Sequence, residues 1–230
     1  MSEQRNVAVV VAPKFDLATE HSYSWSREVV DVLRSYGYEV VDIGGRPVSR
    51  SEVTDALLRN TGALYVHYDH GSEWAHWGSQ VEPVVDLWNV DLLSGREVYC
   101  MNCESARLLG VEAIKRGCLA YWGYRDVFVF TSDAVADFKE FANAGIKRRL
   151  SGLSWKEALN EVKKLGVSLS EKLFSEGKFV AASAIQHDTD VLVCYEKGDE
   201  IGNPEEKPWW RRLVEWIGRL IERIRRWIRC

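Results

Sequence analysis

The stretch Ala63–Ser72 (ALYVHYDHGS) contains the clearest signal of the fold in this sequence. Its first part, Ala63–Tyr68, is a mostly apolar and aromatic run of strand-forming residues, and it predicts a buried strand. The polar tetrapeptide Asp69-His70-Gly71-Ser72 follows at the point where that strand would end. In a parallel sheet the carboxyl ends of the strands form the edge at which ligands bind. The stretch therefore predicts a histidine at the functional edge of a parallel sheet.

A second stretch further along the chain has the same form. Glu97–Met101 predicts another buried strand, and Asn102-Cys103-Glu104-Ser105-Ala106 follows it directly. Cys103 comes 33 residues after His70. A cysteine and a histidine that leave neighbouring strands at the same edge form a candidate nucleophile and base. Cysteine-dependent acyl transfer is the chemistry that this pair predicts.

The rest of the chain alternates strand and helix patterns, which is typical of a mainly parallel sheet with helices on both faces. Further strands are predicted at Val7–Ala12, Glu39–Ile43, Cys118–Tyr124, Val127–Phe130 and Asp190–Tyr195. Helices are predicted at Ser22–Ser35, from Ser49 or Ser51 to Asn60, at Ser105–Lys115, Asp133–Leu150 and Ser154–Glu176, with a short one near Val84–Trp88. We thus expect an α/β fold.

Charge is distributed unevenly along the 230 residues. The formal net charge is −4, but Pro208–Cys230 has seven Arg and two Glu, a net of +5, so residues 1–207 have −9. An acidic body disfavours general nucleic-acid binding, and we expect none. Five cysteines without the spacing of a small disulfide-rich domain, and no apolar run of about 18 residues, favour a reducing, cytoplasmic setting.

The C-terminal segment predicts a strongly amphipathic, basic helix over 208–230, joined by an acidic linker over 198–207 to a domain over 1–197. Three Trp flank one edge of its apolar stripe, and the Arg residues lie outside the stripe. This pattern suits an anionic membrane surface, which would make the protein peripheral to a membrane, but it also suits docking on a partner chain or on the protein's own domain. The stripe consists of Trp210, Leu213, Val214, Ile217, Leu220, Ile221, Ile224 and Ile228.

The predicted chemistry assigns a role to each residue of the pair. Cys103 would attack a carbonyl carbon as the thiolate, which the N-terminus of a helix starting at Ser105 would favour by lowering the thiol pKa. His70 would transfer the proton. The backbone amides of Gly71 and Cys103 would donate to the developing oxyanion.

Other interpretations of the same residues stay open. Cys100 and Cys103 with His67 and His70 could supply four zinc ligands, although His67 and Cys100 lie inside predicted strands and point away from the edge. The C-x-x-C pair could be redox-active, but such motifs place the first cysteine, not the second, at a helix N-terminus. Cys103 could also be an inert buried thiol.

The ordered motifs resemble those of the caspase-like (clan CD) cysteine peptidases, which include legumains, gingipains, separases and caspases. Asp69–Ser72 and Cys103-Glu104-Ser105 are similar to the two legumain blocks, and Asn102–Ala106 is similar to that of CHAT-type peptidase domains. Gly117–Tyr124 resembles the strand that follows the nucleophile helix in gingipain-like members. The resemblance covers roughly Asn6 to Lys197. It implies a caspase-like three-layer α/β/α sandwich with a mainly parallel six-stranded sheet.

The resemblance also implies an activity and its residues. It implies a thiol endopeptidase with a Cys103–His70 dyad, oxyanion donors at Gly71 and Cys103, no obligatory third carboxylate, and no cofactor or metal. Glu104, and less directly Asp69, would bind the substrate, so that peptides or proteins would be cleaved after a basic residue or Asn. The alternative is a catalytically inactive caspase-like scaffold that acts by binding other proteins.

Overall fold

Nine strands and six α-helices form the part of the chain that the computed structural model describes, residues 6–201. The strands are β1 (Val7–Ala12), β2 (Glu39–Gly44), β3 (Leu64–Tyr68), β4 (Gly71–Ser72), β5 (Ala75–Trp77), β6 (Pro83–Asp86), β7 (Glu97–Met101), β8 (Ala120–Tyr124) and β9 (Leu192–Glu196). The helices are α1 (Leu17–Ser35), α2 (Arg50–Arg59), α3 (Leu109–Lys115), α4 (Val135–Leu150), α5 (Trp155–Ser175) and α6 (Phe179–Val191), with a 3-10 helix at Val90–Leu93.

The central sheet has six strands in the order β2-β1-β3-β7-β8-β9. Every neighbouring pair is parallel except β8 and β9, which are antiparallel. In that last pair Glu196 lies opposite Ala120, the first residue of β8, so β9 ends at the amino-terminal edge of the parallel strands. A smaller antiparallel sheet, β4-β5-β6, forms between β3 and β7 in the chain.

Helices cover both faces of the sheet and bury two separate cores. One core lies between the sheet and α1, α4, α5 and α6, and it includes Trp25, Trp122 and Phe138. The other includes Leu57 of α2 and Tyr121, and it also takes in α3, the 3-10 helix and the small sheet. Strands that are covered on both faces are apolar throughout, because neither face meets water. The predicted three-layer α/β/α sandwich with a mainly parallel six-stranded sheet is confirmed.

Helix α1 begins at Leu17, five residues earlier than its apolar periodicity predicts. Asp16 is the N-cap: its Oδ1 accepts a hydrogen bond of 2.8 Å from the Thr19 amide, and the Asp16 amide donates in return to the Thr19 hydroxyl oxygen. Such a reciprocal capping box satisfies amide donors that the first helical turn leaves unpaired. It also fixes Asp16 just beyond the carboxyl end of β1.

Two predicted elements are wrong. Val127–Phe130 is a loop, and the sixth strand of the sheet is β9. Val84–Trp88 is not helical, because Pro83–Asp86 pairs with β5 instead.

Helix α3 starts at Leu109 rather than at Ser105. The backbone before it makes long-range hydrogen bonds in place of a helical turn. The amide of Glu104 donates to the Asp126 carbonyl, and that of Ala106 to the Tyr124 carbonyl, each at 3.0 Å. Residues 103–108 therefore run along the end of β8 before the helix begins.

No helix within residues 6–201 is both long and apolar enough to cross a membrane. The acidic linker predicted over 198–207 lies only partly within the described residues. The basic helix predicted over 208–230 lies outside them.

Candidate active site

Four neighbouring strands end at the same edge of the sheet, and each is followed by a residue of the candidate site. Asp16 follows β1, His70 follows β3, Cys103 follows β7 and Phe128 follows β8. The carboxyl edge of a parallel sheet is where ligands bind in open α/β folds. The predicted histidine and cysteine therefore lie on adjacent strands of one edge.

The two predicted motifs are in direct contact through their backbones. A Cβ atom on Gly71 would lie 2.5 Å from the Cys103 carbonyl oxygen and 3.1 Å from the Cys103 nitrogen. Only glycine permits so close an approach, because any side chain would collide with the neighbouring backbone. The buried amide of Asn102 joins the same segments: its Nδ2 lies 2.9 Å from the Asp69 carbonyl oxygen and 3.1 Å from that of His70.

The imidazole of His70 is held by a carboxylate that no sequence motif indicates. Its Nε2 lies 2.8 Å from Oδ2 of Asp16, and its ring lies 5.8 Å from that of Phe15. Partial burial works to raise the pKa of Asp16, but hydrogen bonds from the Thr19 amide and from His70 outweigh it and lower that pKa. An ionised Asp16 requires a hydrogen on Nε2, so Nδ1 is the ring nitrogen able to accept a proton in neutral His70.

Cys103 lies under the loop that follows β8. Its Sγ is 4.0 Å from the Phe128 carbonyl oxygen, and the Phe128 ring packs edge-on against Trp25 of α1 at 6.2 Å. His70 contacts the residues that precede α1, and the loop beside Cys103 packs on α1, so both residues lie near this helix. Two residues at the end of α6 hold this loop: Asp188 accepts from the Val129 amide at 2.9 Å, and His187 Nε2 lies 3.0 Å from the Val127 carbonyl oxygen.

The expected lowering of the Cys103 pKa is wrong. Burial is the largest cause of a pKa raised to about 11, and the nearby carboxyl groups of Asp188, Glu104 and Asp126 raise it further. Only the hydrogen bond to the Phe128 backbone lowers it. The helix dipole that would have favoured the thiolate is absent from this position because α3 starts six residues later, at Leu109.

The backbone amide of Gly71 points away from the small sheet. Gly71 lies opposite His76, and the Trp77 amide donates to the His70 carbonyl at 3.2 Å. In an antiparallel pair, hydrogen-bonded and non-hydrogen-bonded positions alternate. Since His70 and Trp77 form a hydrogen-bonded pair, Gly71 is at a non-bonded position, and its N–H faces the side opposite β5.

Glu104, predicted to bind the substrate, has a left-handed backbone with φ of 55°. Such a conformation costs a non-glycine residue about 1–2 kcal/mol, and strain of this kind is concentrated at functional sites. Its carboxylate lies 3.3 Å from Nη1 of Arg107, which also pairs with Glu73 at 3.2 Å. Glu104 is therefore near the nucleophile but already has a cationic partner.

Asp69, the other predicted substrate-binding residue, lies below the surface with 5% of its area exposed. Neither carboxylate oxygen has a partner within hydrogen-bond geometry among the described residues. Burial raises the pKa of Asp69 to about 8; the His70 backbone amide acts in the opposite direction, and the charge of Asp16 adds to the rise. The Asp69 carboxyl is therefore buried rather than in contact with solvent.

The four candidate zinc ligands do not come together. His67 and Cys100 lie side by side in the sheet, where Cys100 Sγ is 3.3 Å from Nε2 of His76 and the His67 and His76 rings stack at 4.8 Å. Within residues 6–201 no group of three or more His, Cys, Asp or Glu side chains is arranged to hold a metal.

Solved structures, but no sequence comparison, show proteins that are similar to this chain. No protein-family model matches the sequence, and no curated protein matches it. Among solved structures, the chain is similar to Saccharomyces cerevisiae separase in its complex with securin, with a TM-score of 0.55 and 13% identity. It is also similar to the Arg-specific cysteine proteinase gingipain R, with a TM-score of 0.54 and 13% identity.

Both alignments include 84% of this chain, but they cover only 12% of the separase chain and 46% of the gingipain R chain. This chain therefore spans a small part of separase and less than half of gingipain R. At 13% identity the likeness establishes the fold, which is the caspase-like fold expected from the sequence motifs.

Proposed function

We propose that this chain is a cysteine endopeptidase in which Cys103 is the nucleophile and His70 the general base. The observation that supports it best is the joint placement of the two residues. They follow adjacent parallel strands, and their backbone segments touch at Gly71. The fold shared with gingipain R, a cysteine proteinase, supports the same assignment.

In the proposed mechanism, Asp16 orients His70 so that Nδ1 accepts the proton. Because the pKa of Cys103 is about 11, the resting site has a neutral thiol. The S–H proton passes to His70 as sulfur attacks the carbonyl carbon, and the amides of Gly71 and Cys103 donate to the oxyanion. Collapse breaks the C–N bond, and the imidazolium protonates the leaving amine. Water then hydrolyses the thioester, with His70 accepting its proton and returning it to the Cys103 sulfur.

The charge around Cys103 favours a basic residue before the cleaved bond. Glu104 and Asp126 raise the Cys103 pKa through their negative potential, whereas burial raises the pKa of Asp188 and so disfavours its charged form. The same potential attracts a cationic side chain of the substrate. We therefore expect cleavage after Arg or Lys in preference to Asn, with the Glu104 carboxylate exchanging Arg107 for the substrate cation.

A catalytically inactive scaffold is the second candidate. The observation that favours it is the raised pKa of Cys103 together with the Phe128 carbonyl that lies beside the thiol. A thiol that stays protonated and covered would bind partners without cleaving them.

The test is hydrolysis of a fluorogenic peptide library with Arg, Lys or Asn before the reporter group. We expect Cys103→Ala and His70→Ala to abolish cleavage, and Asp16→Asn to lower kcat/KM by about 10- to 100-fold, because a misplaced base loses much of its effect. Cys194→Ala is the matched control, since Cys194 is a buried cysteine in β9 away from the site.

Undiminished hydrolysis by Cys103→Ala would contradict the proposal. The scaffold predicts instead that the unmodified protein cleaves nothing, and that a cysteine-directed electrophile labels Cys103 no faster than Cys118 or Cys194.

We also propose that the basic segment 208–230 binds an anionic membrane surface. Its sequence pattern supports this role, in which aromatic residues edge an apolar stripe and Arg residues lie outside it. Partner binding and docking on the domain are the competing roles.

A further inference from the structure

We propose that Asn102 is a positioning residue that aims the Gly71 amide at the oxyanion. This inference rests on the proposed peptidase function, because it concerns the same site. Asn102 is 1% exposed, and its Nδ2 lies within hydrogen-bond distance of three acceptors. These are the carbonyl oxygens of Asp69 at 2.9 Å and His70 at 3.1 Å, and Nδ1 of His67 at 2.8 Å. Its two hydrogens are therefore shared among three acceptors.

The side-chain amide of Asn102 is positioned by a hydrogen bond to His67. This imidazole is completely buried in β3, and its ring stacks on that of His76. Burial lowers the pKa of His67 to about 4, so the ring is neutral at physiological pH. A neutral ring can present an unprotonated Nδ1 to the Asn102 N–H, which fixes the orientation of the side-chain amide.

The His70 carbonyl, to which Asn102 donates, belongs to the same peptide bond as the Gly71 N–H. In a trans peptide the C=O and the N–H point in opposite directions within one plane. The His70 carbonyl accepts from Asn102 and from the Trp77 amide at 3.2 Å, so this peptide plane has two anchors on its oxygen side. The Gly71 N–H of the same plane is thereby directed away from Asn102 and away from β5.

The orientation of the His70–Gly71 peptide plane needs this restraint because residue 71 is glycine. With no side chain, Gly71 has more backbone freedom than any other residue, and a free peptide plane would rotate. The bond from Asn102 to the His70 carbonyl restrains that rotation before substrate binds, and its bond to the Asp69 carbonyl holds the preceding peptide plane. Because an oxyanion donor acts in the transition state, its misalignment should lower kcat and leave KM nearly unchanged.

The experiment measures Asn102→Ala against Ser105→Ala. Ser105 is a matched control: it is buried in the same segment after β7, and its hydroxyl has no hydrogen-bond partner within the described residues. We expect Asn102→Ala to lower kcat by about 10²-fold or more, as the loss of one oxyanion donor does, with KM changed by less than about threefold. Alkylation of Cys103 by iodoacetamide needs no oxyanion donor, so its rate should change by less than about threefold.

A general loss of structure would give a different result. If hydrolysis and alkylation fall in parallel, or KM rises as much as kcat falls, Asn102 merely stabilises the fold and the proposal is overturned. Should Asn102→Ala not fold, Asn102→Ser keeps a polar group too short to reach both carbonyls, and the same split between kcat and KM is expected of it.

A further measurement separates this proposal from the proposed function. If the unmodified protein hydrolyses no peptide, the peptidase assignment fails, and amide hydrogen exchange at Trp77 then decides the role of Asn102, because the Trp77 amide donates to the same His70 carbonyl. We expect exchange at Trp77 to be at least about tenfold faster in Asn102→Ala than in Ser105→Ala, because the His70 carbonyl is then less restrained and its bond to the Trp77 amide opens more easily. Equal exchange rates in the two variants would refute the restraint.

Discussion

Asp69 is a buried carboxyl group beside the site, and its pKa is strongly raised. Its carboxyl is buried, it has no partner within hydrogen-bond geometry among the described residues, and its pKa is raised to about 8 from an ordinary value of 3.8. Between these two values the folded protein keeps a proton that the unfolded chain has lost. The stability that this group contributes is therefore fully present below pH 3.8 and declines as the pH rises towards 8.

We predict that Asp69→Asn removes this decline. Each pH unit between the two pKa values corresponds to about 1.4 kcal/mol, so the free energy of unfolding should drop by a few kcal/mol from pH 5 to pH 8 in the unmodified protein and much less in the variant. Urea unfolding at the two pH values measures the difference.

Asp199→Asn is the control, because the pKa of Asp199 is lowered whereas that of Asp69 is raised. A hydrogen bond from Lys156 is the main cause that lowers the Asp199 pKa, so its contribution is present above pH 3.8 and lost below it. Relative to the unmodified protein, the free energy of unfolding of Asp199→Asn should be lowered by the same amount at pH 5 and at pH 8. If Asp69→Asn keeps the full pH dependence of the unmodified protein, the protonated state of Asp69 is refuted.

The positions of His70 and Cys103 could be predicted from the sequence, whereas that of Asp16 could not. His70 and Cys103 each follow an apolar run directly, so strand polarity alone assigns them to one edge. Asp16 comes four residues after β1, and its contact with His70 depends on where the capping box starts α1. The available signal was the Asp-x-x-Thr spacing at Asp16 and Thr19, which marks a helix start but not its neighbour in space.

At the level of elements, the closest packing outside the sheet is between α5 and α6. A Cβ atom on Gly166 of α5 would lie 1.9 Å from the Thr189 hydroxyl and 2.8 Å from the Phe141 ring. Thr189 cannot easily turn away, because its hydroxyl donates to the Ile185 carbonyl at 2.6 Å. The absence of a side chain at Gly166 therefore sets the distance between the two helices.

We predict that Gly166→Ala destabilises the protein. Alanine favours a helix by up to about 1 kcal/mol over glycine, but overpacking typically costs about 1–3 kcal/mol, so we expect a net loss of about 1–2 kcal/mol. Chemical denaturation measures it. Val167→Ala, on the exposed side of the same helix, should have little effect. A variant at position 166 as stable as the parent would mean that the helices separate freely.

Helix α6 and the loop after β8 show where prediction of elements fails. Residues 179–185 are mostly small or apolar, and five of them are buried, so no polar face marks a helical period. Val127–Phe130 has the composition of a strand, but its Phe rings pack on Trp25 and its backbone bonds to α6. In both cases tertiary packing determined the structure, and local pattern did not.

For the whole molecule, the uneven charge along the chain leads to a binding prediction. We expect the full chain to co-sediment with vesicles of phosphatidylcholine and phosphatidylserine, and a chain ending at Pro204 to lose this binding. Each Arg near an anionic surface contributes about 1 kcal/mol, and salt should weaken the interaction. Vesicles of phosphatidylcholine alone are the control. Equal binding by both chains would exclude a membrane role for residues 208–230.

The antiparallel strand at the end of the sheet has a geometric consequence for such binding. Because β9 runs against its neighbour, Glu196 lies beside the first residue of β8, whereas Cys103 follows the opposite end of β7. The end of β9 therefore lies at the amino-terminal edge of the parallel strands, and the Cys103 thiol lies at their carboxyl edge. If a membrane binds on the side where β9 ends, we expect the candidate active site to face the solvent. Its substrates would then be soluble proteins or peptides rather than proteins embedded in that membrane.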